Sequence, residues 1–509
     1  MISSRHKIVL LLPVFYFLYS CSAKQQYDTI IHNGMIYDGN GGKPFKGDIG
    51  IINDTIAFIG DLSNATAKNE IDAKGNAVAP GFIDTHSHHA GSLFQHRDFL
   101  AATSQGITTI ITGQDGFSEF PLSKFYQQLK DTPVAVNITS YCGHNTLRNL
   151  VMGKDFKRFA TPVEIDSMKK MLRQDMEEGA LGLSTGLEYD PGIYSNKEEV
   201  LQLAKEVRPY KGRYISHIRS EDRYFWDAVN EVINIGKEAK IPVQISHFKL
   251  AMHSLWGKAD SVISLLEKAR SSGIDITADI YPYAYWHSTI RVFFPDRNFT
   301  DEKEAEYILK EITMPQDIIL SSYEVQPEYV GKSVADIATL ENKSPAKMLI
   351  ELIARVETWE KKNNKECDEG VIATSSMSES DIKNLIQWNH TNFCSDGASD
   401  GGHPRGRGAF TRVLSHYVRE EKTISLQEAI YKMTKLAAHN TGIQMRGELK
   451  NGYFADIVIF NPETVKDNAT IKEPLKISDG IEAVLVNGVV VFENKKTTRA
   501  YPGTIIKRQ

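Results

Sequence analysis

The chain has 509 residues and a formal net charge of −5, from 59 basic and 64 acidic residues. This length is enough for a large folded core together with a smaller domain. The mildly acidic balance and the lack of a basic tract argue against nucleic acid as a partner, so we expect a small-molecule substrate.

The chain opens with a segment typical of an exported protein. Basic residues precede an apolar run over residues 8–19, which is too short for a good membrane-spanning helix. The run ends at Leu18-Tyr19-Ser20-Cys21, which resembles a bacterial lipobox. Residues 1–21 are therefore predicted to be a lipoprotein-type signal peptide with the lipid on Cys21, and an ordinary signal peptide is the alternative. We expect anchoring in the bacterial cell envelope, periplasmic or surface-facing.

Both ends of the mature chain show short apolar runs separated by turns. The first such segment covers residues 22–78, where Ile49-Gly50-Ile51-Ile52 is followed by Asn53-Asp54, and the second covers residues 440–509. Short strands with tight turns indicate antiparallel β-structure. The sequence therefore predicts one small β-sandwich domain built from both ends, with residues 79–439 inserted into it.

Short apolar strands alternate with helical stretches through the inserted segment. Alternation of this kind over eight strands indicates a (β/α)₈ barrel of the α/β class. Residues 291–369 are mostly charged and helical, so we expect them to be an elaborated connection able to cover the site. The predicted strands are 79–85, 107–112, 134–139, 181–184, 214–216, 243–246, 274–280 and 392–395.

Ionisable and polar residues stand where these predicted strands end. The carboxyl ends of barrel strands meet at one mouth, where enzymes of this fold place their active sites. The first strand ends in His86-Ser87-His88, and side chains two residues apart on a strand point the same way, so these histidines form half of a metal site. The later strand ends supply Asp115, His144, Glu188, His217, His247 with Lys249, Tyr281 and Asp396.

Five histidines at one barrel mouth form a pattern typical of a metal centre. Imidazole and carboxylate ligands suit zinc, and a catalytic zinc ion leaves one position open for water. Bound water loses a proton near neutral pH and becomes a nucleophile, which requires a base. Asp396 at the last strand is suited to accept that proton and to pass it to a leaving amine.

These residues resemble the amidohydrolase superfamily and, within it, the N-acyl-D-amino-acid deacylases, or D-aminoacylases. The resemblance covers the chain from about residue 27 to residue 503. It rests on seven segments: Pro80-Gly81-Phe82-Ile83-Asp84-Thr85-His86-Ser87-His88, Gly143-His144-Asn145-Thr146-Leu147-Arg148, Gly179-Ala180-Leu181-Gly182-Leu183-Ser184-Thr185-Gly186-Leu187-Glu188-Tyr189, Ser216-His217-Ile218-Arg219-Ser220-Glu221, Ile245-Ser246-His247-Phe248-Lys249, Tyr281-Pro282-Tyr283 and Ser395-Asp396-Gly397.

The resemblance implies roles for the metal residues. It implies that His217 and His247 hold a tightly bound zinc ion and that Asp396 is the catalytic acid/base. It also implies that His86 and His88 hold a second, weaker ion.

One position departs from the family pattern. Where the family commonly has a cysteine ligand in Gly-Asn-Cys-Gly, this chain has Gly113-Gln114-Asp115-Gly116. Aspartate ligates or bridges zinc but is a harder ligand than a thiolate. Asp115 is predicted to be a metal ligand, a turn aspartate without metal contact is the alternative, and one or two bound ions remain open.

Other residues at the mouth suit the substrate. A free carboxylate calls for cationic and hydroxyl donors, and the resemblance implies that such groups bind it. We add Arg291 as a residue that could bind an acidic substrate side chain, with a solvated surface position as the alternative. His144 is expected to shape or polarise the pocket. The residues expected to bind the substrate carboxylate are Lys249, Tyr281, Ser288 and Arg405.

The sequence therefore predicts zinc-dependent hydrolysis of the amide bond of an N-acyl-D-amino acid or a D-configured dipeptide. A cyclic-amide hydrolase of the dihydroorotase or hydantoinase kind is the alternative, but no lysine stands near the fourth strand end to serve as a carboxylated bridge. An alternative of another class is a non-catalytic ligand-binding surface lipoprotein, which the histidine ring and Asp396 make less attractive.

Overall fold

A computed structural model describes residues 26–508 of the chain. The predicted signal peptide and Cys21 lie outside the described residues. Between residues 26 and 508, no helix is both long enough and apolar enough to cross a membrane.

The N-terminal segment forms five strands of a nine-stranded sheet. Strand β1 pairs antiparallel with β2, and β2 with β3, as the sequence predicted, but β1 pairs in parallel with β4 and β5. The five strands are Gln26–Ile36 (β1), Phe45–Ile52 (β2), Thr55–Gly60 (β3), Thr66–Asp72 (β4) and Ala77–Pro80 (β5).

The middle of the chain contributes the next strands. They are Phe82–Asp84 (β6), Ile107–Thr112 (β7), Asn137–Ser140 (β8), Cys142–Gly143 (β9), Gly182–Gly186 (β10), Arg213–His217 (β11), Val243–Ile245 (β12), Ile276–Ile280 (β13), Trp286–Ser288 (β14), Ile318–Tyr323 (β15), Glu369–Ala373 (β16) and Thr391–Phe393 (β17). Strands β6 to β8 pair in parallel, and β9 to β13 continue the order with β17 beside β13. An isolated parallel bridge between Ser87 and Gly397 joins the last strand to the first. The (β/α)₈ barrel predicted from the sequence is thereby confirmed.

Helices surround these strands and follow the strand ends. They are Leu100–Thr103 (α1), Leu122–Asp131 (α2), His144–Met152 (α3), Pro162–Glu178 (α4), Lys197–Glu206 (α5), Phe225–Ala239 (α6), Ala259–Ser271 (α7), Glu302–Glu311 (α8), Val334–Leu340 (α9), Pro345–Asn363 (α10), Glu379–Gln387 (α11), Arg405–Arg412 (α12), Leu426–Met433 (α13) and Lys435–Thr441 (α14). The chain directly after α12 continues as a π-helix over Val413–Glu420.

The C-terminal segment completes the β domain with Ile457–Phe460 (β18), Ile481–Val486 (β19), Val489–Glu493 (β20) and Lys496–Thr497 (β21). Strand β18 pairs with β5, so both ends of the chain share one sheet. Successive side chains of a strand point to opposite faces. Accordingly, Ile457 and Ile459 pack in the core of the β domain, whereas Val458 and Phe460 pack against the barrel core.

The predicted first barrel strand is split in the structure. Its first part is β5 of the β domain, and its second part is β6 of the barrel, with Gly81 between them. A Cβ atom at Gly81 would lie 2.2 Å from the Thr108 side chain. Only glycine therefore allows the chain to pass from one sheet to the other so close to β7.

The connection over residues 291–369 is less helical than its charge pattern predicts. It contains α8, α9 and α10 as expected, but it also contributes β15 to a three-stranded antiparallel sheet with β14 and β16. This sheet carries Trp286 and Ser288 beside the barrel mouth.

Candidate metal centre and active site

Backbone hydrogen bonds across the closure of the barrel fix the first histidines next to Asp396. The N–H of His88 donates to the carbonyl oxygen of Gly397 at 2.9 Å, and the N–H of Asp396 donates to the carbonyl oxygen of His86 at 2.9 Å. The buried carboxylate of Asp84 accepts bonds from the N–H and Oγ of Ser395 at 2.8 and 2.5 Å. The barrel closure thus fixes the positions of His86, His88 and Asp396 relative to one another.

Asp115 lies at the centre of the predicted metal residues. Its Oδ1 is 3.3 Å from His86 Nε2 and 3.4 Å from His247 Nε2. Its Oδ2 is 3.2 Å from His88 Nε2. Oδ1 therefore faces one histidine from each of two parts of the barrel, so this carboxylate is placed where a bridging ligand would lie.

Two glutamates orient the other pair of histidines. Glu188 Oε2 lies 2.8 Å from His217 Nε2, and Glu221 Oε1 lies 3.0 Å from His247 Nδ1. A carboxylate on one ring nitrogen keeps the proton there and leaves the other nitrogen free to bind a metal. The other two ring nitrogens, His217 Nδ1 and His247 Nε2, contact each other at a hydrogen-bond distance of 3.0 Å, and Lys249 Nζ also lies 2.6 Å from His247 Nδ1.

The donor set fits a divalent metal ion. Four imidazoles and two carboxylates lie in overlapping groups whose ligand atoms are within 4.8 Å of one another. Nδ1 of the buried His86 lacks a hydrogen-bond partner, which is unusual for a buried polar group, and its Nε2 faces the Asp115 and Asp396 oxygens at 3.3 and 3.5 Å. Asp115, His247 and Asp396 also have positive φ angles of 52°, 32° and 48°. Such backbone strain in non-glycine residues clusters at functional sites.

The local charges keep both aspartates ionised. Burial would raise the pKa of Asp115, but His86 and His247 hold it well below its ordinary value. Burial would likewise raise the pKa of Asp396, but Arg405 and His247 hold it well below its ordinary value. Both side chains are therefore carboxylates at neutral pH, the form needed in a ligand or a base.

A pocket lined by the predicted carboxylate-binding residues opens beside the metal residues. Arg405 Nη1 lies 2.7 Å from Asp396 Oδ2, and its guanidinium stacks 4.7 Å from the centre of the Tyr281 ring. Lys249 Nζ lies 2.6 Å from Glu221 Oε1. Ser288 on β14 also lines this pocket, so all four predicted residues meet there.

Two other predicted substrate residues lie outside this pocket, which corrects their expected roles. His144 is fully buried, with Nε2 2.9 Å from the Glu199 carboxylate, so it helps to pack α3 against α5. Arg291 is held by two carboxylates, with Nη2 3.0 Å from Glu360 and Nε 3.1 Å from Glu369. Arg291 does not line the pocket and is not placed to bind an acidic substrate side chain there.

Sequence reasoning left Glu188 and Glu221 out of the predicted metal site. Glu188 had been placed at the fourth strand end, and Glu221 follows His217 by four residues within a recognised segment. An acidic residue close to each candidate ligand could therefore have indicated that Glu188 and Glu221 belong to the site. The aromatic residues Tyr189 and Trp286 also line the pocket.

Comparisons with known proteins show the family of this chain. A protein-family sequence model described as "Amidohydrolase family" matches residues 69–315 and 390–492 of this chain. The chain belongs to the amidohydrolase family. It is 32% identical to the D-aminoacylase of Alcaligenes xylosoxydans xylosoxydans, over 96% of this chain and 99% of that protein. The resemblance drawn from the sequence segments is confirmed.

Solved structures of similar proteins contain metal centres. A D-aminoacylase described with a binuclear metal centre superposes with a TM-score of 0.84 at 31% identity, covering 95% of this chain and all (100%) of that one. The N-acyl-D-glutamate deacylase of Bordetella bronchiseptica, complexed with zinc and a phosphonate inhibitor, superposes with a TM-score of 0.84 at 32% identity. The match covers 95% of this chain and 100% of that one. A D-hydantoinase gives a TM-score of only 0.57 at 15% identity, which shows the shared fold alone.

Proposed function

We propose that this amidohydrolase cleaves the amide bond of N-acyl-D-amino acids and releases a carboxylate and a free D-amino acid. The similar proteins named above as D-aminoacylase and N-acyl-D-glutamate deacylase support this substrate class. One observation carries the proposal. Asp396 faces a metal-type histidine through Oδ1, 3.1 Å from His88 Nε2, and faces the carboxylate-binding Arg405 through Oδ2.

Different residues at the barrel mouth would bind the metal and transfer the proton during hydrolysis. A bound zinc ion would supply Lewis-acid activation of water and of the amide carbonyl. Because Arg405 occupies one oxygen of Asp396, the other oxygen accepts the proton of the attacking water and passes it to the amide nitrogen. The residues that would hold the metal are His86, His88, Asp115, His217 and His247.

The amino-acid half of the substrate belongs in the pocket that Lys249, Tyr281 and Arg405 line. Cationic and phenolic donors at one end suit the free α-carboxylate. The apolar residues Trp286, Val292, Phe293 and Ile312 line the same pocket. We therefore propose that apolar D-amino acids are preferred to acidic ones, since Lys249 and Arg405 are the only Lys or Arg side chains among its described lining residues.

Replacing Asp396 tests the proposed function. Because Asp396 moves the proton, Asp396→Asn is expected to lower kcat for N-acetyl-D-methionine by about 10²–10⁴-fold. Zinc content, measured on the same samples by elemental analysis, is expected to stay near that of the wild type. N-acetyl-L-methionine serves as the stereochemical control. Near-wild-type turnover in the variant, or no turnover of the D-substrate by zinc-replete wild type, would refute the proposal.

We also propose that the enzyme is exported and lipid-anchored through Cys21. The support is the basic start, the apolar run over residues 8–19 and the lipobox-like Leu18-Tyr19-Ser20-Cys21. A Cys21→Ala variant should leave the membrane fraction and lose the mass of the attached lipid. Retention of the variant in that fraction would contradict the anchor.

A further inference from the structure

A second cavity adjoins the metal residues on the side of His88. Its volume is about 490 Å³, against about 40 Å³ for the pocket lined by Lys249 and Arg405. Its wall includes Ser87 and His88, together with residues that follow the first two barrel strands, within 90–95 and 112–119. A cavity of this size is in the range of small-molecule sites.

The wall of this cavity, which we call the acyl cavity, combines apolar rings with polar side chains. The rings of Phe94 and Phe117 line it and remain 40% and 44% exposed, so they offer uncovered apolar surface. No lysine or arginine occurs among its described lining residues. Glu119 lines it and makes no ion pair with any residue between 26 and 508.

Gln114 adds an unusual acceptor next to the metal residue Asp115. Its side chain is only 2% exposed, and its Nε2 donates to the carbonyl oxygens of Thr85 and Ile111 at 2.8 and 3.3 Å. Its Oε1 has no hydrogen-bond partner, although the residue lines the acyl cavity. Buried acceptors are nearly always paired, so this oxygen calls for a donor from a ligand.

We propose that the acyl cavity receives the acyl half of the substrate and that this half is an aminoacyl or peptidyl group. This inference rests on the proposed function. The α-amine or amide N–H of such a group would donate to the unpaired Oε1 of Gln114, and a charged α-amine would also pair with the exposed carboxylate of Glu119. The side chain of the group would pack on Phe94 and Phe117. His88 lines this cavity and Asp396 lines the other, so the amide to be cleaved would lie between the two halves.

The reaction is then the hydrolysis of a peptide bond to a terminal D-residue. Water oxygen bonds to the carbonyl carbon, the C–N bond breaks, and one proton goes to the departing nitrogen. The products are a free amino acid or shortened peptide and a D-amino acid.

Three substrates with the same D-methionine half test this proposal. Their acyl groups are acetyl, 4-methylpentanoyl and leucyl, the last prepared in both stereochemical forms. Leucyl differs from 4-methylpentanoyl only by its α-amine. We expect 4-methylpentanoyl to exceed acetyl in kcat/KM by about tenfold through apolar contact. One leucyl form should exceed 4-methylpentanoyl by at least about tenfold, because its amine meets the unpaired acceptors.

Variants at exposed positions separate the contribution of the α-amine from that of the apolar side chain, and they are expected to leave the fold intact. Glu119→Gln should lower the ratio of kcat/KM for the leucyl substrate to that for the 4-methylpentanoyl substrate several-fold, because only the leucyl substrate carries an amine. Phe117→Ala should lower kcat/KM for the leucyl and the 4-methylpentanoyl substrates relative to that for the acetyl substrate. Leu150→Ala, a change at a 55% exposed leucine outside the cavity, should alter none of the ratios.

Two results would overturn the inference while leaving the proposed function intact. One is an equal kcat/KM for the leucyl and 4-methylpentanoyl substrates. The other is a leucyl preference that Glu119→Gln does not change. If zinc-replete enzyme hydrolysed none of the three substrates, the proposed function would fail and this inference with it.

Discussion

Asp115 is the single residue on which the coupling of the histidine pairs depends. Its Oδ1 faces His86 and His247, whereas its Oδ2 faces His88. A carboxylate presents two separate oxygens, and each can bind a different ion. Because Oδ1 faces one histidine from each pair, we propose that Asp115 would bridge two ions, as a harder ligand in a position where the family commonly places cysteine.

Replacing Asp115 should change the affinity for zinc by an amount that depends on the new side chain. Asp115→Asn removes the negative charge between the histidines, so zinc affinity should fall by at least about 10–100-fold. Asp115→Cys supplies a softer ligand and should restore zinc binding. Competition with a chromophoric chelator measures both affinities, and cobalt substitution should give a thiolate absorption band only in the cysteine variant. Unchanged zinc affinity in the asparagine variant would show that Asp115 is a turn residue without metal contact.

Four of the five predicted histidines do meet at the barrel mouth, because each lies at or just after the end of a barrel strand, whereas His144 begins α3 and lies outside the site. Parallel strands bring their carboxyl ends to one mouth, so His86, His217 and His247 had to meet once the barrel was recognised. The contact of Glu221 with His247 could not be derived in this way. It joins the loop after one strand to the end of the next, and loop geometry does not follow from strand periodicity.

At the scale of elements, Arg291 holds the elaborated connection together. Its guanidinium joins Glu360 on α10 to Glu369 on β16, and Glu369 is almost completely buried. Burial raises the pKa of Glu369 to about 7, although Arg291 acts to lower it. The residue predicted to bind a substrate side chain is thus part of the structure that covers the site.

Arg291→Ala should therefore change stability, with a defined dependence on pH. Because the folded-state pKa of Glu369 is raised above its ordinary value, its favourable contribution is present at low pH and is lost as the pH rises through about 7. Without Arg291 that pKa rises further. The loss in free energy of unfolding should grow from about 1 kcal/mol at pH 5 to about 3 kcal/mol at pH 8. Urea denaturation at both pH values measures this difference.

The same variant tests the corrected role of Arg291. Its preference for N-acetyl-D-methionine over N-acetyl-D-glutamate should match that of the wild type, since Arg291 does not line the pocket. Arg291→Lys keeps a positive charge and should lose less stability. A changed substrate preference, or a loss of stability that is smaller at pH 8 than at pH 5, would contradict this account.

The sequence pattern predicted the barrel strands better than the elaborated connection. Barrel strands are buried on both faces and read as apolar runs, as over Ile107–Thr112. Strand β15 reads Ile-Ile-Leu-Ser-Ser-Tyr between charged helices, and its pairing with β16 comes from a segment almost fifty residues later. Such long-range pairing leaves no local signal, because the partner strand decides whether a short apolar run becomes a strand.

At the scale of the whole molecule, the two domains share packing and polar contacts. The rings of Phe82 in the barrel and Phe460 in the β domain lie 6.2 Å apart within one buried cluster. Asp456 is buried at the same boundary and forms an ion pair with Arg446. Its carboxylate also accepts a bond from Asn137 Nδ2 on β8 at 3.1 Å. Barrel and β domain are therefore expected to unfold together.

Removing the Asp456 carboxylate should show this coupling. Asp456→Ala leaves the buried Arg446 without its partner, so the free energy of unfolding should fall by about 3–5 kcal/mol. Because Val458 and Phe460 of the β domain pack in the barrel core, the variant should still unfold in a single transition, with release of bound zinc at the same temperature. Differential scanning calorimetry with a zinc indicator measures both. Glu473→Ala, at an exposed pair with Lys476, should cost no more than about 0.5 kcal/mol. Two separate transitions in the Asp456→Ala variant would mean that the β domain and the barrel are stabilised independently.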